Sequence, residues 1–332
     1  MADDIRSDKM RAVVVPEHGG ADVLQVQTRP VPEPGPGQLL VEVAASGVNF
    51  IDVYRREGVY PVDTPFVLGG ECAGRVVALG DGVTDFAAGD VVATASTHDG
   101  SHATHALIDA ANAVPVPDGV QPEVAAAAML QGMTAHYLVH STFTITEGTE
   151  VLIHAAAGGV GRLLVQMAKA QGARVIATVG SEKKVVIATD AGADHVIRYD
   201  EVEDVAAAVR HLATDGVHVV YDGVGRSTFD ASLASLRPRG MLVLFGGSSG
   251  QVPPFDLQRL NSGGSLFVTR PTLVNYTATR DELVRRASEV LGSIADGTLH
   301  IAIGGRYSLD DAAWAYRDLE GRRTTGKLLV IP

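Results

Sequence analysis

VLIHAAAGGVGRLLVQMAKAQGARVIATV, residues 151–179, decides the fold. A short apolar run, VLIH (151–154), gives way to alanine and glycine. Val160, Leu163, Leu164, Met167 and Ala168 then recur at helical spacing, and Gly172 supplies a stop before a second apolar run, RVIATV (174–179). A strand, a tight turn, a helix and a strand in so short a span leave the two strands parallel, because the helix carries the chain back to its starting end. Further strands are predicted at HVIRY (195–199), VHVVYD (217–222), MLVLF (241–245) and SLFVT (265–269). Between them EKKVVIATD, VEDVAAAVRHLA and STFDASLASL read as helices. Six strands alternating with helices predict an α/β fold with a doubly wound parallel sheet covered on both faces.

Upstream the texture changes. Residues 10 to about 133 read as β-rich, with runs such as MRAVVV, QLLVEVAA, GRVVAL and DVVATA separated by Pro/Gly punctuation and no long helical pattern. Downstream come a charged helix from about Thr279 to Ala295, a strand pair, a helix at DDAAWAYRDLE and a last strand, KLLVIP. That tail is expected to lack a further βαβ unit and to return to the first domain, making the parallel-sheet domain an insertion.

The 332 residues suffice for two domains with separate cores. With 27 basic and 39 acidic side chains the net charge is −12, which argues against nucleic acid or an anionic membrane as the principal partner. No apolar run is long enough to span a bilayer. Cys72 is the sole cysteine, so no intramolecular disulfide forms, and a cytoplasmic setting is expected. MADDIRSDKM, at the start, lacks the apolar centre of a secretory signal and reads as a loose tail; the sequon Asn275-Tyr276-Thr277 then carries no weight.

AAAGGVG (155–161) lies between a strand and a helix, with small residues Ala156, Gly158 and Gly161 at the three positions of the dinucleotide fingerprint. Small residues let the backbone approach a pyrophosphate, and the helix start presents free N–H groups to the anion. A site for an unphosphorylated ribose usually carries an acid at the end of the second strand. Here that strand runs into Thr178-Val179-Gly180-Ser181, followed by Lys183 and Lys184, with Arg198-Tyr199 nearby. Such a setting welcomes a 2′-phosphate, so NADPH is the expected cofactor. Glu182 in the same turn is an objection, and one lysine of the pair belongs to a solvated helix start.

ASGVNFIDVYRREGVYP (45–61), QGMTAHYL (131–138), the AAAGGVG turn, VVYDGVGR (219–226), FGGSSG (245–250), LFVTRP (266–271) and TTGKLLVIP (324–332) together resemble the zinc-free quinone oxidoreductases, the zeta-crystallin-like branch of the medium-chain dehydrogenase/reductase superfamily. The similarity spans nearly the whole chain, and GVNFID is fairly specific to the branch. It implies a GroES-like catalytic domain from residues 1–133 and 276–332, a Rossmann domain at 134–275, NADPH in the cleft between them and a homodimer. It also implies that Asn49, Tyr54 and Tyr60 line the nicotinamide and acceptor site, with Asp52 beside them and Arg270 facing it. For the cofactor it implies Thr134 near the nicotinamide and Gly158, Gly159 and Val160 at the pyrophosphate. Gly180, Ser181, Lys184 and Tyr199 would surround the 2′-phosphate, with Arg322 closing on it. Phe245, Gly246 and Ser248 would follow along the cofactor.

Zinc members of the superfamily use a cysteine, a histidine and a further ligand. Here the first position falls in SGVNF (Ser46, Asn49), and the GHE-type motif reads Gly69-Gly70-Glu71. These loops cannot assemble three zinc ligands. His98, His102 and His105 in HDGSHATH read as loop and edge histidines, since 102 and 105 would point to opposite faces of a strand. Without a Lewis acid the acceptor must already be electrophilic, a quinone or an α,β-unsaturated carbonyl. Direct hydride transfer is expected, with Asn49, Tyr54 and Tyr60 holding the acceptor and solvent protonating the product. The resemblance leaves one- and two-electron routes open. A reductase of 2-alkenals or enones is the nearest alternative, and a non-catalytic NADPH-binding structural protein the alternative of another class. Gly246-Gly247-Ser248-Ser249-Gly250 fits the G-x-S-x-G elbow of hydrolases, but QVPPF follows where a helix is required.

Overall fold

A computed structural model of the chain describes residues 8–321 and 324–332. In chain order it opens with β1 (Lys9–Val15), β2 (Gln25–Pro30), β3 (Gln38–Val48), α1 (Phe50–Arg56), β4 (Phe66–Val67) and β5 (Cys72–Leu79). β6 (Val91–Thr94), β7 (His105–Asp109), β8 (Val114–Pro115) and α2 (Pro122–Tyr137) follow. An alternating stretch then runs β9 (Glu150–Ile153), α3 (Gly159–Ala170), β10 (Arg174–Val179), α4 (Glu182–Asp190), β11 (His195–Arg198), α5 (Val205–Leu212), β12 (Val217–Asp222), α6 (Phe229–Ser235) and β13 (Leu236–Leu244). The remainder comprises α7 (Gln258–Ser262), β14 (Phe267–Thr269), α8 (Arg280–Ala295), β15 (Ile303–Ser308), α9 (Ala312–Glu320) and β16 (Lys327–Ile331). Two compact units result: residues up to Leu130 together with Thr279–Pro332, and Gln131–Ala278.

The second unit carries a six-stranded sheet in the order β11-β10-β9-β12-β13-β14, every pairing parallel. This is the doubly wound Rossmann arrangement that the alternation predicts. Strands such as β10 are buried on both faces because helices cover both. Leu152, Ile176, Val209, Val220, Leu236 and Leu242 share one core. Strand order reverses between β9 and β12, so their carboxyl ends border the switch point at which such sheets bind ligands. Strand limits shift slightly. The fifth strand starts at Leu236 rather than Met241, through an irregularity where Arg239 adopts a φ of 62°. The sixth begins only at Phe267, because Ser265, at φ 60°, is still turning.

The first unit holds a three-stranded sheet, β2-β1-β4, and a seven-stranded sheet, β15-β16-β3-β5-β6-β8 with β7 on β3. It is the β-rich GroES-like architecture, with two corrections to the sequence reading. α2 begins at Pro122, inside the stretch expected to hold no long helix. Its Ala125–Ala128 and Met129 are all 0% exposed, so the helix is apolar all round and shows no one-sided stripe. The tail also does contain a βαβ unit: β15 is a single strand and pairs parallel with β16 across α9. Leu309, Ala312, Ala315 and Tyr316 pack beneath Leu328 and Val330, and that apolar face lays α9 back on the sheet.

Candidate functional site

In the second unit the turn between β9 and α3 is tightly specified. Ala155 sits at φ 51°, and its carbonyl accepts the Gly158 N–H at 2.9 Å. A Cβ at Gly161 would stand 2.3 Å from that carbonyl oxygen, and one at Gly159 would stand 2.1 Å from Oε1 of Gln131. Backbone is thus packed where a side chain cannot go, and the first N–H groups of α3 have no intrahelical acceptor. Gly158, Gly159 and Val160 all sit half-buried at this positive helix end, a cradle that fits a pyrophosphate. Gln131 was not expected here; one glutamine on a featureless helix gives no signal.

Beside it, the end of β10 brings Gly180 and Tyr199 together, since a Cβ at Gly180 would lie 2.1 Å from the tyrosine hydroxyl. Ser181 precedes α4, whose Lys184 is half-buried while Lys183 is exposed. Arg198 explains Glu182: its guanidinium reaches Asp200 at 2.7 Å, Glu201 at 2.6 Å and Glu182 at 3.2 Å. The hydrogen bond to Asp200 foremost holds the arginine charged, and the glutamate is offset by it. Arg322 lies outside the described residues.

Asp222, at the end of β12, is fully buried and accepts from the N–H groups of Val224 and Gly225 at 2.8 and 2.9 Å and from Ser232 Oγ at 2.8 Å. Its own carbonyl accepts the Phe245 N–H at 2.9 Å, and a Cβ at Gly246 would strike the Gly223 carbonyl at 2.5 Å. Ser248 N–H donates to Gly223 at 3.3 Å, and Arg270 donates to the Leu244 carbonyl at 3.2 Å. Phe245, Gly246, Ser248 and Arg270 therefore gather at the ends of β12 and β13. No helix follows Ser248, so the hydrolase elbow does not form. Thr134 lies half-buried on α2, one turn beyond Gln131.

The first unit revises two expectations. Asn49 caps α1 in a reciprocal box, its N–H donating to Asp52 Oδ2 at 2.9 Å. Asp52 is 0% exposed, its Oδ2 also accepts from Tyr316 at 3.0 Å, and burial pushes its pKa up to about 6. Asp52 therefore holds the start of the helix and does not face an acceptor. The Asn49 amide is equally committed, donating to Glu71 Oε2 at 2.8 Å and to the Gly47 carbonyl, and accepting from Lys327 at 2.6 Å. Both donors and the carbonyl of the Asn49 amide are thus engaged within the first unit. Sequence reasoning missed its partners: Lys327 and Glu71 form an ion pair in which each side chain is 1% exposed.

Tyr54 and Tyr60 lie together at the end of α1. Their rings meet edge to face at 5.4 Å, and Tyr60 is 40% exposed. Tyr60 borders a cavity of about 800 Å³ that Arg55 and Gly69 also line. His102 does lie in a loop, between β6 and β7, but it is completely buried. Its Nδ1 lies 2.7 Å from Ser46 Oγ and its Nε2 2.7 Å from the Tyr316 hydroxyl. Among the described residues no group of three or more His, Cys, Asp or Glu side chains is arranged to hold a metal.

The zinc-binding dehydrogenase family matches residues 159–289, and the alcohol dehydrogenase GroES-like domain matches residues 35–145. A mycobacterial protein solved with NADPH is 48% identical, with a TM-score of 0.94 over 97% of this chain and 100% of that one. The quinone oxidoreductase of Escherichia coli, also solved with NADPH, is 41% identical with a TM-score of 0.93 at the same coverages. A 2-haloacrylate reductase from a Burkholderia species is 38% identical over 97% of this chain and 98% of its own. Identity and coverage of this extent place the chain in the quinone oxidoreductase branch of the medium-chain dehydrogenase/reductase superfamily.

Proposed function

We propose that the protein is an NADPH:quinone oxidoreductase that works without a metal. The observation that carries this reading is the glycine cradle at Ala155–Gly161 beside the Gly180–Tyr199 contact, where no carboxylate ends β10 and the neighbouring Glu182 is engaged by Arg198. The NADPH complexes of two close relatives support it.

NADPH, when bound, supplies the hydride. Gly158, Gly159 and Val160 would hold its pyrophosphate through backbone N–H groups, and Ser181, Lys184 and Tyr199 its 2′-phosphate. Thr134, Phe245, Gly246, Ser248 and Arg270 would fix the remainder of the cofactor. Tyr54 and Tyr60 would flank a flat acceptor with their rings and offer hydroxyls to its carbonyl oxygens, where negative charge grows. At the positions where zinc relatives place ligands, this chain has Ser46 and Gly70, and Glu71 is bound up with Lys327. Those donors suit a metal poorly, so the acceptor must delocalise the incoming charge itself. A catalytic domain formed from both chain ends, a homodimer and a cytoplasmic setting belong to the same reading. The edge strand β14, with Phe267 55% exposed, and the lone buried Cys72 support the last two.

Reduction of activated alkenes is the second reading, favoured by the haloacrylate-reducing relative. Chelator-treated protein assayed with NADPH and NADH against quinones and enals separates the possibilities. NADPH-driven quinone turnover that survives chelation is expected. Indifference to NADPH, or turnover lost with stripped zinc, would overturn the proposal.

A further inference from the structure

We propose that the cavity beside Tyr60 selects acceptors bearing an anionic substituent, a carboxylate or sulfonate, held by Arg55 and Arg29. This rests on the reading of the chain as a reductase of conjugated acceptors and names the acceptor class.

The cavity lies wholly within the first unit and, at about 800 Å³, is large enough for an aromatic ring with a side arm. Phe66, Val62 and Tyr60 give it an apolar wall. Arg29 sits opposite Met10 in the β1–β2 register, and both line the cavity. Arg55 belongs to the last turn of α1. Its Nη1 lies 3.4 Å from where a Cβ on Gly70 would stand, so its head group fills the space over the Gly69-Gly70-Glu71 turn.

Both arginines are half-buried, and neither makes a hydrogen bond or an ion pair with a described residue. Acids outnumber bases 39 to 27 in this chain, though Arg162 Nε too is buried without a hydrogen-bond partner. Arg56, next along, is bound by the Gly19 carbonyl, Glu57 and Glu320, and Arg11, Arg174, Arg259 and Arg306 each pair with a carboxylate. Arg55's charge acts on the buried Asp52, but no group fills the fork of donors of either guanidinium, and a carboxylate matches that fork. Asp99 is the one carboxylate among the lining residues; it is exposed, and two arginines outweigh it. His98, also lining, lies 3.9 Å from Asp109.

The test compares a naphthoquinone carrying a propanoate arm with its methyl ester, which leaves the ring's reducibility alike. In the wild-type protein kcat/KM should favour the acid by about tenfold or more, the worth of a charge-assisted hydrogen bond. The preference should reside in KM and shrink as salt is raised. Arg55→Met and Arg29→Met should each pull the acid-to-ester ratio toward one. A wild-type ratio near one, or a ratio that neither substitution changes, overturns the proposal; so does a loss of acid and ester turnover in equal measure, which would make Arg55 a group acting on the reacting carbonyl. Equilibrium titration of the wild-type protein with the non-reducible naphthalene propanoate and its ester gives a separate readout. If no quinone or enone is reduced yet the acid binds about tenfold more tightly, the anion site stands and the redox reading fails. If both quinones turn over equally and both naphthalenes bind equally, the redox reading stands and the anion site fails.

Discussion

The Lys327 ammonium donates to the side-chain carbonyl of Asn49 at 2.6 Å, tying the last strand to the cap of α1 inside the core of the first unit. Glu71 completes the arrangement, accepting from both side chains and from the Leu130 N–H at 2.6 Å. With every member buried, removing one charge strands the other. Glu71→Gln and Lys327→Met should each cost about 3–5 kcal/mol in denaturant unfolding. The double variant should cost less than their sum, because the two changes share one interaction. Single losses below about 1 kcal/mol would show that the pair does not hold the cap.

These contacts also mark where sequence reading stops. The unit β9–α3–β10 was legible because its periodicity changes from strand to helix and back around small residues, and the phosphate turn came with it. α2 was hidden, since Ala125–Ala128 are buried on every side and show no stripe. β15 was obscured by Gly304 and Gly305, which read as a turn; Gly305 pairs with Leu328 in the parallel strand, and the register shifts across Gly304. Glu71 and Lys327 are 256 residues apart, and His102 and Tyr316 are 214 apart. No local pattern announces such meetings. A buried histidine and a loop histidine look alike until the fold brings their partners to them.

The phosphate turn should discriminate between its glycines. A Cβ at Gly161 would meet a backbone oxygen at 2.3 Å, whereas one at Gly158 finds the same oxygen at 3.1 Å. Backbone held between a strand and a helix cannot swing aside. Gly161→Ala should lower stability by about 1–3 kcal/mol and weaken NADPH binding by about tenfold or more. Gly158→Ala should do much less of both. Thermal unfolding and cofactor titration of the two variants give the comparison, and equal effects would contradict the packing described.

Cofactor choice should rest on Lys184 more directly than on Arg198. Lys184→Ala should raise KM for NADPH by about tenfold and leave KM for NADH nearly unchanged, since only the former carries the extra phosphate. Arg198 is already held by three carboxylates. Arg198→Ala should act indirectly, by freeing Glu182 to repel the phosphate, and its smaller effect should weaken as salt rises. Steady-state kinetics with both cofactors decides; a Lys184→Ala variant that loses NADH and NADPH alike would place that lysine elsewhere in the binding of the nucleotide.

His102 and Asp52 lie in one hydrogen-bonded chain through Tyr316, and their titrations oppose each other. Burial pushes His102 down from 6.5 to about 3, so its contribution to stability is fully present above pH 6.5 and is lost as pH falls through 3. Burial pushes Asp52 up from 3.8 to about 6, so its contribution is present below pH 3.8 and is lost as pH rises through 6. At full extent these amount to roughly 5 and 3 kcal/mol respectively. Between about pH 4 and 6 the two slopes nearly cancel. Removing one partner should expose the other. Relative to the wild-type protein, Asp52→Asn should lose stability as pH falls from about 6 to 4, and His102→Asn should gain it. The other histidines with lowered pKa, His105, His154 and His218, titrate in all three proteins and drop out of the difference. Unfolding free energies across this window test the signs: parallel curves for all three proteins would mean that neither group changes its proton affinity on folding, and that the buried chain Ser46–His102–Tyr316–Asp52 is wetter than its geometry allows.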